Sequence, residues 1–188
     1  MRALVVLLLL LALPVPVWAG DLTVELKTAA GQPAGDAVVS FKPAGGVPAA
    51  TPARYAAPLR VEQNNIHFDP FILIVPVGAE VSFPNRDKVR HHVYSFSPAK
   101  RFELKLYGRD ETRKVTFDRA GVVALGCNIH DQMIGFVVVL DTPYAAKVGP
   151  TGEVTLANLP PGGGVLTKIK AWRSTNCRFS TNASKTAS

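Results

Sequence analysis

Residues 121–140 read GVVALGCNIHDQMIGFVVVL. Two apolar, β-branched runs flank NIHDQ, a loop so short that the runs must be neighbouring strands joined by a tight turn. Within this stretch Cys127, His130 and Met133 recur at intervals of three. One strand ends at Cys127, the loop carries His130, and the next strand begins near Met133. Such a loop can turn all three side chains toward one point.

Outward from this pair, the strand signals are dense from 60 to 141. FILIVPVG is apolar on both faces and ends at Gly78; VSFP follows, then the charged loop NRDKVR. HHVYSF is the next strand. RFELKLY alternates, with Phe102, Leu104 and Leu106 on one side, and KVTFDRAG runs into a turn. No window carries a run at helical spacing. With fifteen Gly and fifteen Pro in 188 residues, the chain reads as all-β, a sandwich or a barrel. Its apolar share of 47% lies well above that of disordered chains and is enough for a real core.

The flanks read differently. Arg2 precedes an apolar run, Ala3 to Leu13, which Pro14 and Pro16 break before the small residues around Ala19. This is the pattern of a secretory signal peptide over 1–19, and the run is short for a bilayer span. An uncleaved anchor helix is the competing reading. No later stretch could cross a membrane, so the mature chain is expected to be periplasmic. Residues 20–58 hold an N-terminal β segment, with alternating Leu22, Val24 and Leu26 and a strand at Ala37–Phe41, then a Pro/Ala-rich linker from 44. Residues 142–173 hold a further strand pair, GEVTLANL and GVLTKIKAW; 174–188 read as a disordered tail. The sequon Asn182-Ala183-Ser184 in that tail is weak evidence for glycosylation.

The net charge of +7 is compatible with an acidic partner. The cations are scattered rather than interleaved with aromatics, which argues against nucleic acid, as does export.

Thiolate, imidazole and thioether together suit copper, and a trigonal His₂Cys set with a long axial Met is the blue-copper arrangement. A second His is then required, and His91 and His92, after NRDKVR, are the obvious suppliers. Other readings compete. In an exported chain Cys127 could pair with Cys177. Met133 could be core filler. Cys127 with His130 could form a thiol enzyme, although a base three residues along a tight loop serves a separate substrate poorly. Zinc could take the same Cys and His but has little use for a thioether. His67 has no partner at ligand spacing and reads as a surface residue.

At this point the sequence resembles the cupredoxins, and most of all amicyanin-type proteins, which share the short C-x-x-H-x-x-M loop. The resemblance covers roughly 61–141, just under half the chain, within an expected copper domain over 60–141. FDPFILIVPVGAEVSFPNRDKVRHHV is similar to the family's stretch ending in N-x-(D/E)-x-x-x-H, and KVTFDRAGVVALGCNIHDQM to the stretch carrying the other ligands. The resemblance implies a Greek-key β-sandwich holding one copper ion, cycling between Cu(I) and Cu(II), through His91, Cys127, His130 and Met133. It implies that Asn85 supports the site by bonding across to the Cys loop, and that His92 is a supporting residue or an alternative ligand. Arg90 replaces a frequent Pro, and Gly126 a bulkier residue. The wider pattern also resembles exported proteins named for methylamine utilization. The implied role is a one-electron carrier, not an enzyme, between redox partners such as a cytochrome or a dehydrogenase. A copper carrier or interaction module without redox turnover is the alternative. The outer segments, AGQPAGDAVVSFKP and GPTGEVTLANLPPGGGVLTKI, resemble pieces of a small transthyretin-like or carboxypeptidase-regulatory-like sandwich, or are extra strands packed on the copper domain.

Overall fold

The computed structural model describes residues 19–48, 55 and 57–170. The expected signal peptide (1–18 of its 1–19), part of the linker, the polar tail and Cys177 lie outside the described residues. The described chain is all-β, with fourteen strands and no helix among them. The first two are β1 (Gly20–Glu25) and β2 (Ala37–Pro43). The central set is β3 (Glu62–Asn64), β4 (His67–Asp69), β5 (Ile72–Pro76), β6 (Ala79–Pro84), β7 (His91–Ser97), β8 (Lys100–Tyr107), β9 (Thr112–Phe117), β10 (Gly121–Cys127) and β11 (Ile134–Leu140). The last three are β12 (Ala145–Lys147), β13 (Glu153–Leu159) and β14 (Gly164–Lys170).

A five-stranded sheet runs in the order β5-β11-β10-β7-β8, parallel only between β5 and β11. β6 pairs with β9, and β3 with β4. Alternation along these strands sends Val75, Val93, Val123, Leu125, Val137 and Val139 into one core with Val81, Phe83 and Phe117. Cys127 and Met133 belong to that same core. The β10–β11 loop, which carries the expected ligands, is therefore anchored at both ends in packed side chains.

The terminal segments meet each other. β1 pairs with β13, and β2 lies between β12 and β14. They share a second core of Val24, Leu26, Val39, Phe41, Tyr144, Val154, Leu156 and Leu159. β2 is buried on both faces from Ala37 to Phe41, as a run apolar apart from Ser40 requires. Val39 and Phe41 face the second core, while Val38 packs with Ile72, Phe136, Val138 and Leu140 from the outer face of the five-stranded sheet.

Two short elements depart from the sequence reading. The β3–β4 hairpin turns on Asn65 and Ile66, both at positive φ (52° and 60°). A two-residue turn of this kind needs φ > 0 at both positions, for which Asn-Gly is the usual signal; Ile hides it. β12, three residues long, carries no periodic signal of its own.

Candidate metal centre

β10 and β11 are in antiparallel register from Gly121↔Val139 to Gly126↔Ile134. The connection turns twice: His130 N–H donates to the Cys127 carbonyl (3.4 Å) and Met133 N–H to the His130 carbonyl (2.9 Å). These successive three-residue steps are the physical content of the Cys, His, Met spacing. The loop is tied to the neighbouring strand by Asn128 N–H donating to the His92 carbonyl (3.0 Å), and Cys127 lies opposite Val93.

His91 opens β7 beside Cys127. Its Nδ1 is 3.6 Å from the Cys127 Sγ, and the His130 Nδ1 is 3.5 Å from the same sulfur. The donor atoms of His91, Cys127 and His130 all lie within 4.8 Å of one another. A first-row metal with bonds of about 2.3 Å to sulfur and 2.0 Å to nitrogen, at angles between tetrahedral and trigonal, needs S···N separations of about 3.5–3.7 Å. The spacing fits a single ion. His91, Cys127 and Met133 are buried (0%, 3% and 1% exposed), and His130 is half-buried. Access to the centre from solvent is through the His130 edge.

The orientation of His91 is fixed by Asp87, whose Oδ2 is 2.8 Å from Nε2. With Nε2–H donating to the carboxylate, the Nδ1 lone pair faces Cys127, as a ligand nitrogen must. Asp87 in turn accepts from the backbone N–H groups of Asn65 (2.6 Å) and Ile66 (2.9 Å). Burial alone would push the Asp87 carboxyl up, but the bonds from Ile66, His91 and Asn65 outweigh it and hold the group below the usual carboxylate range. Burial also raises the Tyr107 phenol, whose hydroxyl donates to the Phe83 carbonyl (3.0 Å).

Four expected residues can now be placed. His91, Cys127 and His130 converge, and Met133 is buried in the same core at the end of their loop. His92 points to the opposite face of β7, its Nε2 2.8 Å from Glu103 Oε1, outside the ligand group. Among the described residues Cys127 is a free thiol. Asn85 is a correction: its side chain does not bond across to the Cys loop. Its Oδ1 accepts from Asp87 N–H (2.8 Å), and its Nδ2 donates to the carbonyls of Val89 (2.9 Å) and Tyr107 (3.2 Å). Two of these bonds close the 85–89 loop and the third ties it to the end of β8, and so the amide supports His91 through Asp87. Asp87 is the residue that sequence reasoning missed. The available signal was its place four residues before His91 in NRDKVRH.

No family model matches the chain, and no curated protein does. Among solved structures, a purple cupredoxin from Nitrosopumilus maritimus is similar at 24% identity, over 43% of this chain and 98% of that one, with a TM-score of 0.40. An amicyanin variant in its reduced state is similar at 25% identity over 54% and 92%, TM-score 0.40. The copper-containing nitrite reductase of Thermus scotoductus SA-01 is similar at 26% identity over 54% and 26%, TM-score 0.43. The structural neighbours are cupredoxins, β-sandwiches of the kind expected from the ligand loop.

Proposed function

We propose that this chain is an exported type 1 copper protein, a one-electron carrier between redox partners in the periplasm, with one copper ion held by His91, Cys127, His130 and Met133. The observation that carries the reading is the convergence of two imidazole Nδ1 atoms on one buried thiol sulfur, at 3.5 and 3.6 Å. The buried thioether of Met133, at the end of the same loop, favours copper over zinc, which takes no benefit from it.

Copper bound here supplies a one-electron couple between Cu(I) and Cu(II). The chain's own residues do the rest. His91 and Cys127 stand at strand ends, and His130 and Met133 on a loop closed by two hydrogen bonds and anchored in the core, a frame that would hold the site nearly fixed between oxidation states. Asp87 keeps the proton of His91 on Nε2. Val93, Leu125 and Val137 belong to the dry core that holds Cys127, which favours transfer to a partner over reaction with water. Half-buried His130 offers the short way out to a cytochrome or a dehydrogenase. The signal-peptide pattern of 1–19 supports export, and the link to methylamine utilization stays with the amicyanin likeness.

The test is an optical spectrum during copper titration. Intense colour from thiolate-to-copper charge transfer is expected at one equivalent, and none in Cys127→Ser. A colourless Cu(II) form, or a Cys127→Ser form that keeps its colour, sinks the proposal. Electron exchange with a cytochrome faster than copper release separates a redox carrier from a copper carrier.

A further inference from the structure

The outer face of the five-stranded sheet is only half covered. On β11 and β5 its side chains pack under the terminal strands. On β10, β7 and β8 it carries Val122, Ala124, Gly126, Tyr94, Phe96, Arg101 and Lys105, all open or half-open to solvent among the described residues. Phe96 is 75% exposed, far beyond what a solitary surface aromatic needs. It is not solitary. Its ring lies 5.0 Å from that of Tyr94, tilted by 44°. Tyr94 pairs across the strands with Gly126, and its ring lies so close that a Cβ added at Gly126 would come within 2.8 Å of the Tyr94 Cζ. Gly126 therefore makes room for this ring, one residue before Cys127.

The charges on this face lie along β8, a cation on either side of one carboxylate. Phe96 lies directly across from Arg101, and Tyr94 across from Glu103. Glu103 is engaged with His92 at 2.8 Å. Arg101 and Lys105 alternate with it along β8 and take part in no ion pair among the described residues. An aromatic pair bordered by two cations that form no ion pair among the described residues, against a single carboxylate, fits an acidic protein surface with an apolar centre. A second copy of this chain, itself at +7, would bring like charge to the same cations.

We propose that Tyr94 and Phe96, with Arg101 and Lys105, form a docking surface for an acidic protein partner, separate from the His130 edge. That this partner exchanges electrons with the centre rests on the copper reading; the docking itself does not. Contact on Tyr94 reaches the backbone of the residue next to Cys127 without passing through His130.

The experiment titrates the isotope-labelled full chain, free of metal, with an acidic c-type cytochrome at low ionic strength, following amide chemical shifts. Shifts are expected at Tyr94, Phe96, Arg101, Lys105 and Val122. Phe96→Ser, and separately Arg101→Glu with Lys105→Glu, should each weaken binding by about tenfold or more. Shifts confined to Ile129 and His130, or no shifts, overturn the proposal. So does a patch whose amides change when residues 171–188 are removed, since the chain then covers its own face. Concentration-dependent broadening abolished by Phe96→Ser would assign the face to self-association instead. Copper loading of the same samples keeps the two readings apart: docking without colour sinks the copper reading alone, and colour without docking sinks this one.

Discussion

Asp87 sits at the junction of two demands. It accepts bonds from two backbone N–H groups on one side and from the His91 ring on the other. Asp87→Asn keeps the shape and an acceptor but loses the charge, and its NH₂ can favour the wrong imidazole tautomer. Copper affinity is expected to fall about 10- to 100-fold, the usual cost of removing such a partner, with the apo fold retained. Competition against a chelator measures it; unchanged affinity would show that His91 is held by packing alone. Because the folded protein lowers the Asp87 carboxyl, the group stabilises the fold at pH above the ordinary carboxylate range. That stabilisation is lost as pH falls through the lowered value. The metal-free protein should therefore lose stability on acidification, and Asp87→Asn should lose less over the same window, read by urea midpoints at each pH. The donors to Asp87 have their own cost. Ile66 is a β-branched residue at φ 60°, a strained position, with its side chain 43% exposed. Ile66→Gly keeps the N–H and relieves the strain, and is expected to raise stability by roughly 1 kcal/mol.

The β10–β11 hairpin was legible in the sequence because both of its signals are local. Apolar runs mark the strands, and the three-residue spacing of Cys127, His130 and Met133 matches the two turns that the loop makes. The choice of His91 over His92 was less legible, since neighbours on a strand face opposite ways and nothing in the pair says which face is inside. The structure settles the facing: His91 is buried, and His92 meets Glu103 outside. The partner of Asn85 was not legible because an Asn in a loop can serve any nearby segment, and only the fold shows that its amide bonds within its own loop and to the end of β8. The terminal strands were legible as strands, and as pieces of one small sandwich only through a resemblance; which strand meets which was not legible, because β1 and β13 are far apart in sequence and pairing at such distance leaves no local pattern. Gly152 is the element-scale test of that pairing. It stands at φ +81°, and an added Cβ would lie 2.5 Å from the Leu26 carbonyl oxygen, a backbone atom that cannot swing away. Gly152→Ala should destabilise the turn before β13 by about 1–3 kcal/mol, through strain and overpacking together. A thermal midpoint equal to that of the parent would mean the β1–β13 ladder contributes little.

At the scale of the whole molecule the question is whether the terminal sandwich and the ligand-bearing one stand or fall together. They share an interface among the described residues. Val38 of β2, with Ile169 and Ala145 against it, covers Ile72, Phe136, Val138 and Leu140 on the outer face of the five-stranded sheet. Each of those side chains, if left in water, forfeits roughly 1.5–3 kcal/mol of burial. Their sum is of the order of a small domain's whole stability, so the sheet cannot readily lose its cover and remain folded. β11 transmits this directly, since its outer residues Phe136 and Val138 meet β2 while its first residue, Ile134, follows Met133 at the end of the ligand loop. The full chain is therefore expected to unfold in one cooperative transition. Urea denaturation followed by far-ultraviolet circular dichroism and by thiolate-to-copper absorption should give the same midpoint, and Gly152→Ala should move both together. Separate midpoints, with the colour surviving after half the strand signal is lost, would show that the ligand sheet keeps its fold with Phe136 and Val138 in water.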